Sequence, residues 1–297
     1  MFLNLGMAQL QARQYNAAVE SLESLVTSGT AKAEVFLLLG EAYDKDGNPE
    51  KAYSAYTRAL ELEPGSEDGY IALSRFASAH HNDEYALNTL ARGLQRIPGS
   101  TNMLMEQGTV WAIAMDLPKA EDSFRLANQS NPQASLPLLA LGLCQMQENR
   151  LEEAATTLRQ AAGKAPDDYR PEYFYALTLV RGGGRGDREK RKEIISALER
   201  AIALNPDDPE SRVALGQTYQ AAGQLEPATK ELEKALELDP KNATALYQLG
   251  LIYRKQGKVE AAQRLLSTFE EVKASAKQEE EQERKALVQI MKTVKEK

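Results

Sequence analysis

The chain contains 297 residues with a formal net charge of −7, and 42% of its residues are apolar. The acidic balance argues against general nucleic-acid binding, because the neutralisation of phosphates needs a basic surface. Cys144 is the only cysteine, which excludes an internal disulfide, and no apolar run is long enough to predict a membrane span. The abundance of alanine and leucine favours a helical protein.

A period of 34 residues organises the sequence from its start to position 276. When places are numbered within each repeat, place 8 holds a small residue in all eight repeats. Place 20 holds alanine in seven of them, and Ile194 is the exception. The predicted repeats are residues 1–32, 33–66, 67–100, 101–134, 135–168, 169–208, 209–242 and 243–276.

Each repeat is predicted to be a pair of helices. Apolar residues recur every three or four positions on both sides of a short break rich in Gly, Asn and Asp, which is typical of two amphipathic helices and a tight turn. Small residues at places 8 and 20 allow these helices to pack closely. Proline at place 32 ends the second helix in six repeats, because it lacks an amide hydrogen. We therefore predict an all-α protein.

The repeat resembles the tetratricopeptide repeat, a helical hairpin of the same length. Aromatic residues typical of that family stand at place 11 or place 24 in several repeats, as Tyr43, Trp111, Tyr219, Tyr253, Tyr56 and Phe124. The resemblance implies an α-solenoid in which the hairpins stack side by side into a right-handed superhelix. It also implies that the first helix of each hairpin lines the concave face.

Three segments depart from the period. Repeat six, residues 169–208, is six residues longer than the others, and we predict that the excess forms a flexible basic loop between its helices. The first repeat begins at its third place, so we expect further sequence upstream. Residues 277–297 follow the last repeat and are acidic first and basic last, with an apolar stripe. This segment is predicted to be a C-terminal capping or extension helix.

The sequence contains few residues that could perform catalysis or bind a metal. His80 and His81 are the only histidines, and they are predicted to be solvated turn residues whose adjacent side chains diverge. Cys144 has no histidine near it in sequence and is predicted to be a buried structural thiol. The glycine-rich residues 182–186 lack the strand and the Lys-Ser or Lys-Thr of a phosphate-binding loop. We predict a non-enzymatic protein with no metal and no cofactor.

The resemblance to the tetratricopeptide repeat implies a groove for a partner peptide. Family ligands contact places 2, 5, 9, 12 and 13 of the first helices, and in repeats four to six these places are largely apolar. The predicted groove residues are Met105, Ile113, Leu136, Leu139, Leu143, Met146, Tyr173, Leu177 and Val180. Charged and polar residues take the same places towards both ends of the chain. An alternative is that these apolar side chains pack between neighbouring first helices.

The basic insertion of repeat six is a second candidate site. Its residues are Arg181, Arg185, Arg188, Lys190, Arg191 and Lys192. Such a cluster could bind an acidic protein segment, a phosphoprotein or nucleic acid. Nucleic acid is the least expected ligand, because no aromatic residue is interleaved to stack on bases. A solvated loop followed by an ordinary basic helix start explains the same pattern.

The sequence as a whole predicts a scaffold that holds a partner peptide or helix. Two alternatives stay open: a binding arm of a larger enzyme or secretion machine, and an anion-binding or nucleic-acid-binding protein that uses residues 181–192. The pattern names no particular partner and no oligomeric state. The N-terminal residues do not resemble a secretory signal, so the cytoplasm is the default expectation, with a periplasmic or exported location left open.

Overall fold

The computed structural model describes the backbone of residues 2–295 and the side chains of residues 2–278. All regular secondary structure within these residues is α-helical, which confirms the predicted fold class. The helices are α1 (Phe2–Gln11), α2 (Tyr15–Thr27), α3 (Ala33–Lys45), α4 (Pro49–Leu62), α5 (Glu67–Ala79), α6 (Asp83–Arg96), α7 (Thr101–Ile113), α8 (Leu117–Ser130), α9 (Leu136–Gln147), α10 (Leu151–Lys164), α11 (Tyr169–Arg181), α12 (Arg188–Leu204), α13 (Pro209–Ala221), α14 (Leu225–Leu238), α15 (Ala243–Lys255) and α16 (Val259–Lys295).

The chain is divided into two compact units, residues 1–148 and 149–297. The N-terminal unit contains α1 to α9, and the C-terminal unit contains α10 to α16. Within each unit, the two helices of a repeat pack against each other as a hairpin, for example α3 with α4 and α13 with α14. Each hairpin also packs against the next one in its unit. The predicted helical hairpins are therefore confirmed for the repeats that lie within one unit.

The hairpins close around a small residue at place 8. A Cβ atom added to Gly108 would lie 2.4 Å from the ring of Phe124, which stands at place 24 of the same repeat. In the C-terminal unit, a Cβ atom on Gly216 would lie 2.7 Å from Leu232. A real Cβ atom does not fit at these distances, so in these two repeats the place-24 side chain leaves room only for glycine at place 8.

The turn within each hairpin contains one residue in the left-handed region of backbone space. This residue stands at place 15 in all eight repeats, as Arg13, Gly47, His81, Met115, Asn149, Gly183, Gly223 and Gly257. The left-handed conformation ends the first helix and reverses the chain. Glycine adopts it most easily, and four repeats accept another residue there.

A tyrosine at place 11 joins successive hairpins. The hydroxyl of Tyr219 donates a hydrogen bond of 3.0 Å to Glu199 in the second helix of the preceding repeat. Two further pairs repeat this bond, Tyr43 with Glu23 and Tyr253 with Glu233. Burial, together with the hydrogen bond to the carboxylate, raises the pKa of Tyr219 to about 12, so this phenol keeps its proton at neutral pH.

The insertion of repeat six corrects the prediction of a flexible loop. Helix α12 has 17 residues, whereas the second helices α10 and α14 have 14, so half of the added length extends a helix. The remaining turn, Gly182–Asp187, is held by backbone hydrogen bonds such as Gly184 N to the Leu179 carbonyl at 2.9 Å. Ile194, the one large residue at place 20, is fully buried and packs beside Gly184.

Helix α16 runs without a break from Val259 to Lys295. Residues 277–295, within the segment predicted to be a C-terminal capping or extension helix, therefore continue the second helix of repeat eight. The apolar stripe of this segment falls outside the residues whose side chains are described.

Replacement of Gly108 by alanine tests the packing of place 8 against place 24. Gly108→Ala should lower the free energy of unfolding by about 1–3 kcal/mol, because the methyl group overlaps the ring of Phe124. The control is Gly163→Ala in α10, where a Cβ atom meets nothing within 4 Å. This control should raise stability by roughly 0.5–1 kcal/mol through helix propensity. Thermal denaturation of both variants measures the difference, and equal effects would contradict the packing argument.

Candidate functional site

The first helices form the inner face of each unit. Consecutive first helices contact each other directly, α1 with α3, α3 with α5 and α5 with α7 in the N-terminal unit, and α13 with α15 in the C-terminal unit. Consecutive second helices in the described part of the chain make no contacts of comparable extent. Stacked hairpins whose first helices are closer together curve towards those helices. We therefore call the exposed surface of the first helices the inner face.

In the N-terminal unit, the predicted groove residues separate into exposed and buried ones. Ile113 is 63% exposed, Leu136 is 50% exposed and Leu143 is 36% exposed, all on α7 or α9. Met105 is half-buried against the core. These four residues are consistent with a surface that a ligand can reach.

Leu139 and Met146 require a correction. They are only 4% and 6% exposed, so their side chains belong to the protein interior. Both stand at family ligand places, yet their neighbours in the fold cover them. These two side chains therefore follow the alternative prediction, in which apolar residues at these places pack inside the protein and do not line a groove. They are not surface anchors for a ligand.

The C-terminal unit holds the other three predicted groove residues. Tyr173, Leu177 and Val180 are all half-buried along α11. The ring of Tyr173 makes an edge contact with Phe174 at 5.1 Å between centroids. Burial, with the nearby carboxylates of Glu210 and Asp208, raises the pKa of Tyr173 to about 12. This side chain is therefore a neutral, partly apolar surface at physiological pH.

Two polar side chains, Arg75 on the inner face and His80 just after α5, are paired in ways that the sequence analysis missed. Arg75 donates to the carboxylate of Glu106 at 2.8 Å, and that carboxylate is only 11% exposed. His80 contacts Asp44 at 2.7 Å, and its ring packs in a tilted arrangement against the ring of Phe76. His80 is therefore not a purely solvated turn residue. The sequence did contain a signal for both pairs, because the two partners in each pair are roughly one repeat length apart.

The predicted basic cluster does not form a single loop. Arg181 is the last residue of α11, and only Arg185 lies in the turn itself. Arg191 donates to the backbone carbonyls of Arg185 and Gly186 at 2.8 and 3.3 Å. The other basic residues lie on the exposed first turns of α12, as Arg188, Lys190 and Lys192.

The described residues offer little for catalysis. Burial raises the pKa of the Cys144 thiol to about 11, and the Glu148 carboxylate adds to this shift, so the nucleophilic thiolate is scarce at neutral pH. No group of three or more His, Cys, Asp or Glu side chains converges as a metal site would require within residues 2–278. Among the described helices, none combines the length and the apolar character needed to cross a bilayer.

Family models match most of the chain. Models described as tetratricopeptide repeat match residues 3–67, 116–169, 187–235 and 244–271, and one described as TPR repeat matches residues 216–257. Tetratricopeptide repeat protein 8 of Caenorhabditis elegans is 24% identical over 153 residues, which are 50% of this chain and 30% of that protein. The chain thus spans less than half the length of this relative.

Solved structures share the fold at low sequence identity. Yeast Tom70 aligns with a TM-score of 0.58 and 18% identity over 90% of this chain and 59% of its own. YrrB, described as a TPR protein with an unusual peptide-binding site, aligns with a TM-score of 0.52 and 20% identity over 66% of this chain and 98% of its own. At these identities the likeness shows the fold alone.

Removal of Arg75 tests its pairing with Glu106. Arg75→Ala should destabilise the protein by about 1 kcal/mol, because it leaves a mostly buried carboxylate without its cation. The control Arg96→Ala removes an exposed arginine from the end of α6 and should change stability by less than about 0.5 kcal/mol. Chemical denaturation measures both changes. Restoration of stability by Glu106→Gln in the Arg75→Ala background would support the pairing, and equal losses in the two single variants would contradict it.

Proposed function

Because the chain belongs to the tetratricopeptide repeat family, we propose that it is a non-catalytic scaffold that holds a partner polypeptide on its inner face. The observation that carries this proposal is the exposure of large apolar side chains on two consecutive first helices. Ile113 at the end of α7 and Leu136 and Leu143 on α9 are 63%, 50% and 36% exposed. Folding leaves this apolar area in water.

Exposed apolar residues are common on protein surfaces, so their placement matters more than their number. Second helices also carry some, for example Leu126 on α8 and Leu238 at the end of α14. The three inner-face residues differ because all of them stand at places that receive ligands in this family. Half-buried Met105, at another such place on α7, adds to the apolar surface of that helix. This arrangement supports recognition of an apolar segment.

The expected affinity follows from burial of a few anchors. Each well-buried apolar side chain contributes roughly 1.5–3 kcal/mol before the costs of association. Two or three such anchors give dissociation constants on the order of micromolar. An amphipathic helix or an extended segment with spaced apolar residues has the matching chemistry.

A non-catalytic role agrees with the chemistry of the polar residues. The ring of His80 contacts Asp44 and Phe76, and Cys144 is a buried thiol with a raised pKa. The inner-face arginine Arg75 is committed to Glu106. These contacts serve the fold, and none of them brings a nucleophile next to a base.

Charge substitution on the inner face tests the proposal. Peptides selected on the wild-type chain from a random library provide the probes. Leu143→Glu and Ile113→Glu should each weaken peptide binding by about tenfold to a hundredfold, because a buried anchor is replaced by a carboxylate. Fluorescence anisotropy measures the dissociation constants, and circular dichroism checks that the variants remain folded.

The matched control is Leu126→Glu, which makes the same substitution at a side chain 49% exposed on second helix α8. Binding should be unaffected in this variant. If folded Leu143→Glu and Ile113→Glu bind the peptides as tightly as the control does, the inner-face proposal is wrong. Leu139→Glu is unsuitable as a probe, because a charge there would be buried.

A further inference from the structure

The turn of repeat six is built to a defined shape. The amide of Gly183 donates to the Val180 carbonyl at 3.0 Å, and that of Gly184 donates to the Leu179 carbonyl at 2.9 Å. A Cβ atom on Gly184 would lie 2.6 Å from that same Leu179 carbonyl oxygen, so only glycine fits there. Arg191 also binds two carbonyl oxygens of the turn. The path of the turn backbone is therefore well defined.

This turn directs Arg185 across to the first helix of the next repeat. Nη2 of Arg185 donates to Oε1 of Gln217 at 2.6 Å. Gln217 stands at place 9 of α13, which is an inner-face position. The insertion thus delivers a guanidinium to the ligand side of the C-terminal unit.

Arg185 has no counter-charge within the described part of the chain. Its side chain is half-buried, and its Nε is buried with no protein acceptor. Burial lowers the pKa of Arg185, and no neighbouring carboxylate offsets this effect. Arginine nevertheless stays protonated in proteins, so a desolvated positive charge persists at this point. Such a charge is costly unless an anion is near.

Two other arginines of the C-terminal unit are paired with carboxylates. Arg212 in α13, whose side chain is 11% exposed, binds Glu231 at 3.0 Å and the Pro206 carbonyl at 2.8 Å. Arg200 forms two hydrogen bonds of 2.7 and 2.8 Å with Glu172. Arg185 differs from both, because its only side-chain partner is a neutral amide. Because no carboxylate of the described chain pairs with Arg185, we look to a ligand for the anion.

We propose that Arg185 is a specificity residue that receives an acidic side chain of a partner polypeptide on the inner face of the C-terminal unit. This inference rests on the proposed scaffold function and names the partner chemistry at one place. Arg181, exposed at the end of α11, carries a second cation four residues earlier in the chain. The half-buried side chains of Leu177 and Val180 on the same helix offer an apolar surface beside that charge.

The chemistry of guanidinium explains the choice of partner. A planar guanidinium donates parallel hydrogen bonds to carboxylate or phosphate oxygens, and charge-assisted bonds of this kind are stronger than neutral ones. Aspartate, glutamate and phosphoserine share this anionic oxygen chemistry. The same ends of the first helices carry Arg254 and Lys255 on α15, so the positive charge is not confined to one repeat. The whole chain has a net charge of −7, so this positive charge is a local excess on an acidic protein.

The test compares Arg185→Gln with Arg188→Gln in the full chain. Both variants lose one positive charge from the insertion, but Arg188 is exposed on α12 and forms no hydrogen bond or ion pair with α13 among the described residues. The probes are a short fluorescent peptide rich in glutamate, its glutamine analogue, a phosphoserine peptide, and a single-stranded oligonucleotide of equal charge. Anisotropy at fixed ionic strength gives the dissociation constants, and melting temperatures confirm folding.

We expect the glutamate peptide to bind wild type more tightly than the glutamine analogue does. Arg185→Gln should weaken this binding about tenfold, and Arg188→Gln less than about twofold. The same Arg185 dependence with tighter binding of the phosphoserine peptide would assign the anion as phosphate and would also support the proposal. Equal losses in the two variants would overturn it in favour of diffuse charge attraction.

Two further outcomes would overturn the inference. One is the absence of acidic-peptide binding to wild type, and the other is an Arg185 dependence seen only with the oligonucleotide. The library-selected peptides whose binding depends on Leu143 distinguish a failure of the Arg185 assignment from a failure of the scaffold proposal. If those peptides still bind, only the assignment of Arg185 is wrong. If they do not bind either, the scaffold proposal has failed as well.

Discussion

The architecture depends on one steric relation, in which a small residue at place 8 receives a large side chain from place 24 of the same repeat. The contact is too close to allow even a methyl group at Gly108 or Gly216. It sets the separation of the two helices in each hairpin. Because the relation recurs in both compact units, consecutive hairpins have the same form and can stack. Tyrosine hydroxyls such as that of Tyr219 then join one hairpin to the next.

The two helices of a hairpin have different roles because of this packing. The second helix contributes its large residue and a fully buried place-20 side chain to the core, as Phe124 and Ala120 do. The first helix buries its small residue at place 8, and a different side of the same helix is exposed on the inner face. Side chains on that side are not needed to close the hairpin. Ile113 and Leu143 can therefore remain exposed at little cost to the stacking.

Much of the fold was predictable because it is periodic. The recurrence of place 8, place 20 and proline at place 32 indicated helical hairpins, and the structure confirms them. The insertion was harder, since glycine and basic residues suggested a loop, whereas Asp187 caps α12 by accepting from the amides of Glu189 and Lys190. That cap allows the helix to begin at Arg188. An aspartate followed by charged helix formers was the available signal.

The candidate site was less predictable than the fold. Places within a repeat indicated which residues lie on the first helices, but not how deeply neighbouring helices cover them. Leu139 and Leu143 occupy equivalent kinds of place four residues apart, yet they are 4% and 36% exposed. Pairing across repeats, as between Arg75 and Glu106, depends on side-chain reach in three dimensions. The position of Arg185 depends on the turn in the insertion of repeat six, and the 34-residue pattern does not describe that turn.

The central claim is that the inner face of the first helices holds a polypeptide. Covalent footprinting of solvent-exposed side chains, with and without a saturating bound peptide, tests it most directly. The account predicts that labelling of Ile113, Leu136 and Leu143 falls on binding, whereas labelling of Leu126 on a second helix does not change. Protection of Leu126 and its second-helix neighbours, with the inner-face residues still labelled, would contradict the account.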